Sequence, residues 1–189
     1  MKEWVSPIPK KVHLIWIGNN DFPDYFKFFL KTFETYFTGF EIKVWGNSDL
    51  KRKNFPLTFD YIQKAKKLQG KQMYDEEGKK MFGKNMEPLT YSKWAQITDL
   101  MRLEIVYRNG GYYFDTTFEI LKPMYNVLNK KKHRFVGCNE IPRFKNVDIL
   151  SNSFFGATPN NPILKRLLSK NRLSNIDFYN SSVDFETGP

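Results

Sequence analysis

Apolar and polar positions along this chain switch repeatedly between a period near two and a period near 3.6. "KVHLIWI" (11–17) is a nearly continuous apolar run that ends at Gly18-Asn19-Asn20, the pattern of a buried parallel strand feeding a loop. Pro23 then opens "PDYFKFFLKTFETYF", where Tyr25, Phe26, Phe29, Phe33, Tyr36 and Phe37 recur at helical spacing and Gly39 follows as a stop. "FEIKVWG" alternates apolar and polar residues as a half-buried strand does. The chain therefore begins with a strand, helix, strand unit.

From 47 to 90 the sequence is polar, basic and dotted with glycine, with one helix expected at "DYIQKAKKL", and it reads as a variable, partly exposed insertion. "TYSKWAQITDLMRLEIVYRNGG" gives the clearest helix. Trp94, Ile97, Leu100, Met101, Leu103, Ile105 and Val106 cover most of its circumference, so it should be buried, with Gly110 at its C-cap. Beyond it the pattern predicts a strand over "YYFDTTFEI", a turn or short helix over "KPMYNVL", strands over "HRFVGCNE" and "DILSNSFFGA", and a helix over "NPILKRLLSK" opened by Pro162. Strands alternating with helices predict an α/β fold with a mixed sheet.

A chain of 189 residues can bury a core as a single domain, and no internal repeat or low-complexity tract stands out in it. Its one cysteine, Cys138, cannot form an internal disulfide, which favours a reducing compartment. Lys10, Lys11 and His13 interrupt the N-terminal apolar stretch, and no segment reaches the roughly 20 apolar residues of a membrane span. The expectation is a soluble cytoplasmic protein. A net charge of +10 attracts polyanions, and nucleic acid, an anionic membrane face and a phosphorylated substrate all meet that description. The basic residues lie in scattered clusters ("KRK", "KAKK", "KKKHR"), as a solvated lysine-rich surface also would have them.

Two places carry candidate chemistry. Asp99 and Arg102, three residues apart in the buried helix, share one face. They either pair with each other or point to a cleft and hydrogen-bond sugar hydroxyls, and both readings can hold together. Asp115 follows an apolar run, and ligands of parallel α/β sheets sit at the carboxyl ends of strands, although a lone Asp there also suits a turn. His13 and His133 read as structural or surface residues.

"TDLMRLEIVYRNGGYYFDTTFEILKP" resembles the segment that marks glycosyltransferase family 32, the DXD-motif sugar transferases that include capsular polysaccharide transferases and fungal mannosyltransferases and are related to clostridial glucosylating toxins. "IPKKVHLIWIG" is similar to that family's first strand, "SNSFFGATPNNPIL" to its later strand and loop, and "ETGP" to a loop near its C-terminal part. The resemblance implies a GT-A-type nucleotide-sugar-binding fold and transfer of a hexose from a UDP- or GDP-sugar, with retention of configuration, to an acceptor that is left open among a glycan, a lipid-linked saccharide and a protein side chain. Polysaccharide biosynthesis is the expected process, with peripheral contact at an anionic membrane face as the option that a lipid-linked acceptor brings, and no nucleic-acid partner is expected. Ile15, Trp16 and Ile17 would line the nucleobase end, with Trp16 stacking on the base unless it is a plain core residue. Asp99 and Arg102 would hold the donor sugar, and Tyr113, Asp115 and Asn152 would complete the donor site. Asp115 would also contact Mn2+ or Mg2+.

Thr117 stands where that family has its second acidic residue, which weakens the site for a hard cation. Glu119 shares a strand face with Asp115 and Thr117 by the period of two and is the further candidate ligand. The family pattern also continues to a histidine and a Ser-Trp pair not found before Pro189. Three readings follow: a transferase with a weakened metal site, a nucleotide-sugar-binding protein of the same fold without turnover, and a basic nucleic-acid-binding module. No zinc spacing, RNP-type signature or basic helix supports the last.

Overall fold

The computed structural model describes residues 4–18, 20–75, 77–139 and 150–176. Five strands form one mixed sheet: β1 (Lys11–Ile15), β2 (Glu41–Trp45), β3 (Gly111–Phe114), β4 (Phe135–Asn139) and β5 (Leu150–Ala157), in the spatial order β2-β1-β3-β5-β4. β1 pairs in parallel with β2 and with β3, whereas β5 runs antiparallel to both β3 and β4. The expected α/β class with a mixed sheet is what the chain adopts.

Alternation along each strand divides the core in two. Val12, Leu14, Tyr112, Phe114 and Phe154 face one side, where they meet Phe26 and Phe33 of α1 (Asp24–Tyr36) and Leu128 of α4 (Tyr125–Leu128). Ile15, Trp45, Tyr113, Phe155 and Ala157 face the other, against α2 (Phe59–Leu68), α3 (Trp94–Asn109), α5 (Pro162–Leu167) and α6 (Lys170–Ser174). This is the period of two turned into layers. The helix expected over 161–170 divides, α5 stopping at Leu167 and α6 opening at Lys170.

α3 is buried almost all round, as its composition predicts: Gln96, Ile97, Asp99, Leu100, Met101, Arg102, Glu104, Ile105 and Val106 are all inside. It ends at Gly110, with φ 64°, and β3 begins at the next residue, Gly111, with φ 97°. A Cβ at Gly110 would lie 2.7 Å from Pro159 Cδ, and one at Gly111 would lie 2.7 Å from both Lys11 Cβ and Lys11 O. The double glycine lets β3 leave the helix and settle against β1 with no connecting loop.

Residues 47–90, expected to form one insertion, divide instead. Phe55, Thr58, Ile62 and Ala65 are fully buried, and Glu104 of α3 accepts hydrogen bonds from Leu57 N (2.9 Å), Thr58 N (2.8 Å) and Thr58 Oγ1 (2.6 Å). That first part belongs to the core because a buried carboxylate with three donors fixes the start of α2. Between 69 and 92, by contrast, no described residue is buried.

The strand expected over "YYFDTTFEI" ends at Phe114. Phe118 N donates to Asp115 O at 3.1 Å, so the chain turns directly after Asp115. Asp115, Thr117 and Glu119 therefore do not share a strand face.

Candidate active site

The parallel strands β1, β2 and β3 end on one side of the sheet. From β1 the chain reaches β2 on one flank, while β3 occupies the other, and a crevice outside the carboxyl ends at such a reversal of strand order is the usual ligand site. The loops meet there. Gly18 N donates to Asn47 Oδ1 (3.1 Å), Asn47 Nδ2 returns a bond to Gly18 O (2.6 Å), and the Trp94 ring lies alongside Gly18.

Five of the expected site residues converge at this end. Arg102 Nη2 lies 2.9 Å from Asp99 Oδ1, and its Nη1 lies 3.2 Å from Asp115 Oδ1. Asn152, in β5, brackets the pair: its Nδ2 donates to Asp99 Oδ1 at 3.0 Å while its backbone oxygen accepts from Arg102 Nη1 at 2.9 Å. Tyr113 OH donates to Asp115 Oδ1 at 2.5 Å, and the Arg102 guanidinium carbon stands 4.7 Å from the centre of the Tyr113 ring. Asp115 N donates to Ser153 O at 2.8 Å, which carries the β3/β5 pairing one residue past the strand and fixes the carboxylate at its end.

The electrostatics follow from burial and neighbours. Burial opposes the charged form of Arg102, yet Tyr113, Asp99 and Asp115 outweigh it, and the guanidinium pKa rises above its ordinary value. Burial pushes the Tyr113 phenol well above the ordinary tyrosine value; Asp115 and Asp99 push it further, and Arg102 opposes them. Tyr113 is thus a neutral donor that orients Asp115. Asp99 and Arg102 are nearly closed off, with side chains 3% and 8% exposed, whereas Asp115 is 32% exposed and presents its carboxylate outward. Of the two readings of Asp99 and Arg102, the structure shows the pairing.

The residues expected at the nucleobase end are placed less openly. The Ile15 side chain is in the core (5% exposed), and Ile17 packs against the same cluster. The Trp16 ring stacks on Phe26 at 5.5 Å, with Nε1 donating to Asn20 O, so one of its faces is taken. His133 is exposed. His13 is buried between Gly110 O (2.8 Å from Nε2) and the Trp45 indole (3.3 Å from Nδ1), as its structural reading anticipates. "ETGP" lies outside the described residues.

Among the described residues no group of three His, Cys, Asp or Glu side chains could hold an ion. Asp115 is already engaged by Arg102 and Tyr113, while Thr117 and Glu119 are exposed beyond the turn. A hard cation asks for several carboxylate or carbonyl oxygens around it, and these residues do not fit one.

Two residues of α3 near Asp99 escaped the sequence. Thr98 accepts from Arg102 Nη2 through Oγ1 (3.3 Å) and through its carbonyl from Nε (3.4 Å), and its spacing of four residues on one helix was the available signal. Gln96 is fully buried, and neither polar atom of its amide has a partner among the described residues, a property that no sequence pattern reports.

The family model for a glycosyltransferase sugar-binding region containing a DXD motif matches residues 1–135. Among solved structures the chain is similar to PaToxG glycosyltransferase, with a TM-score of 0.59 at 19% identity over 97% of this chain and 67% of that one, a likeness of fold. Comparison with curated proteins gives no match. Among the described residues no helix is long and apolar enough to cross a membrane.

Proposed function

The chain belongs to the glycosyltransferase family defined by a sugar-binding region with a DXD motif, and from that premise we propose that it transfers a hexose from a UDP- or GDP-sugar to a saccharide acceptor with retention of configuration. The observation that carries the reading is the bridge of Arg102 between Asp99 and Asp115 at the carboxyl end of β3. Two carboxylates and one guanidinium, held rigid by Asn152 and Tyr113, offer acceptors and donors fixed relative to one another, which suits the hydroxyls of a neutral sugar.

In this reading Asp99 and Asp115 orient the donor sugar, and Arg102 holds both carboxylates in place. The acceptor hydroxyl attacks the anomeric carbon on the face that the diphosphate leaves. The bond from that carbon to the diphosphate oxygen breaks, the bond to the acceptor oxygen forms, and the acceptor proton passes to the departing diphosphate. The protein contributes orientation and a preorganised polar environment rather than a nucleophile. No step is routed through a metal ion, since the residues present do not fit one.

Calorimetric titration with UDP-glucose, UDP-galactose and GDP-mannose, followed by assay of donor hydrolysis, tests the proposal. Binding of one donor with slow release of its sugar to water is expected. Thr117 at the second motif position favours a second reading, a nucleotide-sugar-binding protein without turnover, in which binding occurs and hydrolysis does not. Absence of binding to every donor would sink both.

A further inference from the structure

The segment between α2 and α3 contains an eight-residue repeat that its side chains conceal, contrary to the expectation of no internal repeat. Gly70, Gly78 and Met86 all have positive φ, at 75°, 75° and 62°. Their N–H groups close equivalent bonds: Gly78 to Asp75 O (3.0 Å), Met86 to Gly83 O (3.1 Å) and Gly70 to Tyr91 O (2.8 Å). One step further along, Met81 N donates to Met73 O (3.0 Å), Leu89 N to Met81 O (3.0 Å) and Met73 N to Leu89 O (2.8 Å). A third series joins Asp75 N to Lys79 O, Gly83 N to Glu87 O and Tyr91 N to Lys71 O. In every series the last bond runs from the third repeat back to the first, so the segment is a closed ring with approximate threefold symmetry. Gln72 is its hub, with Nε2 within 2.9, 2.9 and 3.1 Å of the carbonyl oxygens of Met73, Met81 and Leu89.

This ring adds no described buried residue to the protein. Ordering a backbone costs about 1–2 kcal/mol per residue, and here cyclic backbone bonds rather than a core hold that order. What the order preserves is a surface. Tyr74 and Phe82, which occupy the same position in successive repeats, are 51% and 46% exposed, and Met86 is 75% exposed. Lys71, Lys79, Lys80 and Lys84 are balanced by Asp75, Glu76, Glu77 and Glu87, so the ring carries no net charge in a chain of net charge +10. Its neck opens on the active-site helix: Lys93 N donates to Gln69 Oε1, and Asp99 follows six residues later, roughly 9 Å along a helix that rises ~1.5 Å per residue.

We propose that this ring is the docking platform for the acceptor, and that its occupant is a neutral oligosaccharide. Two exposed aromatic rings at equivalent positions of an ordered backbone can each lie against the apolar C–H face of a sugar ring. Electroneutrality on an otherwise basic protein gives a polyanion no reason to settle here. The neck joins the ring to α3, the helix that carries Asp99. The inference rests on the transferase reading and names the acceptor class for that site.

The test uses the full chain and the double variant Tyr74→Ser/Phe82→Ser, whose two side chains are exposed, with maltohexaose, cellohexaose, chitohexaose and heparin as probes. At least one neutral hexasaccharide should bind the wild type, and the variant should weaken it about tenfold, the value of two lost stacking contacts. UDP- or GDP-sugar binding should be unchanged between the two proteins. Equal saccharide binding by both, retention of heparin alone, failure of every neutral probe with the wild type, or dissociation of a dimer by the two substitutions would each overturn the platform. Loss of donor binding in both proteins while a saccharide still binds would instead remove the transferase reading and leave the docking surface standing.

Discussion

Arg102 Nη1 lies 3.2 Å from Asp115 Oδ1, so a residue in the middle of helix α3 and one just past the end of β3 share a charge contact across the boundary between two layers. The same guanidinium holds Asp99 through its other nitrogen. Two carboxylates that would repel each other are thereby kept side by side, one closed off and one partly exposed.

That asymmetry separates two substitutions. Arg102→Ala leaves Asp99 buried without its cation, and unpairing a buried ion typically costs about 3–5 kcal/mol. Asp115→Asn changes a partly exposed group and should cost no more than about 1 kcal/mol. Both should abolish donor binding. Thermal melts and donor titration on the two variants read the difference; equal loss of stability would mean that Asp115 is as structural as Asp99.

Thr117→Asp restores a second carboxylate near the turn after β3. The variant should bind Mn2+ more tightly than the wild type, and donor hydrolysis should become stimulated by the ion, because a hard cation gains a charged oxygen ligand. Titration of both proteins with MnCl2 measures the first effect directly. An unchanged affinity would show that Asp115, held by Arg102 and Tyr113, cannot turn to share an ion.

The sequence made the site helix legible because two features coincide there: apolar residues cover most of its circumference, and Asp99 and Arg102 stand one turn apart among them. Asp99 and Arg102 could be placed together from spacing alone. The extent of β3 was not legible, since Thr116, Thr117 and Phe118 are good strand formers and only the hydrogen bond from Phe118 N to Asp115 O reveals the turn. Asn152 was expected to touch the donor, and its bonds to Asp99 and Arg102, made from a strand fifty residues downstream, depend on sheet order that periodicity cannot supply. The ring at 70–91 stayed hidden because what repeats is backbone geometry, with Gly and Met sharing one φ and Tyr, Phe and Thr one position.

His13 makes stability depend on pH. Burial first, with Lys11 and Lys43 adding to it and the Gly110 bond and Glu41 opposing, lowers its pKa from 6.5 to about 4. Between those values the unfolded chain binds the proton and the folded chain does not. Stability is therefore complete above pH 6.5 and declines as the pH falls through the window, by about 3 kcal/mol across all of it. Urea unfolding at pH 7.5, 6.0 and 5.0 should show the decline. His13→Gln, which keeps a donor for Gly110 O and an acceptor for the Trp45 indole, should flatten it; the same slope in that variant would assign the effect to another group.

Gln96 stands one turn before Asp99, fully buried, with both ends of its amide unpaired among the described residues. Leaving buried polar atoms without partners costs about 1–3 kcal/mol for each group, so an apolar side chain of similar size should be more stable there. Gln96→Leu is expected to raise the melting temperature of the ligand-free protein. If the amide is retained because the donor satisfies it, the same substitution weakens donor binding, and the stabilisation and the loss appear together. If it is retained for packing alone, the melting temperature rises and donor affinity does not change. A fall in melting temperature would contradict the reading at its root, since it would mean that a buried water already pairs with the amide in the free protein.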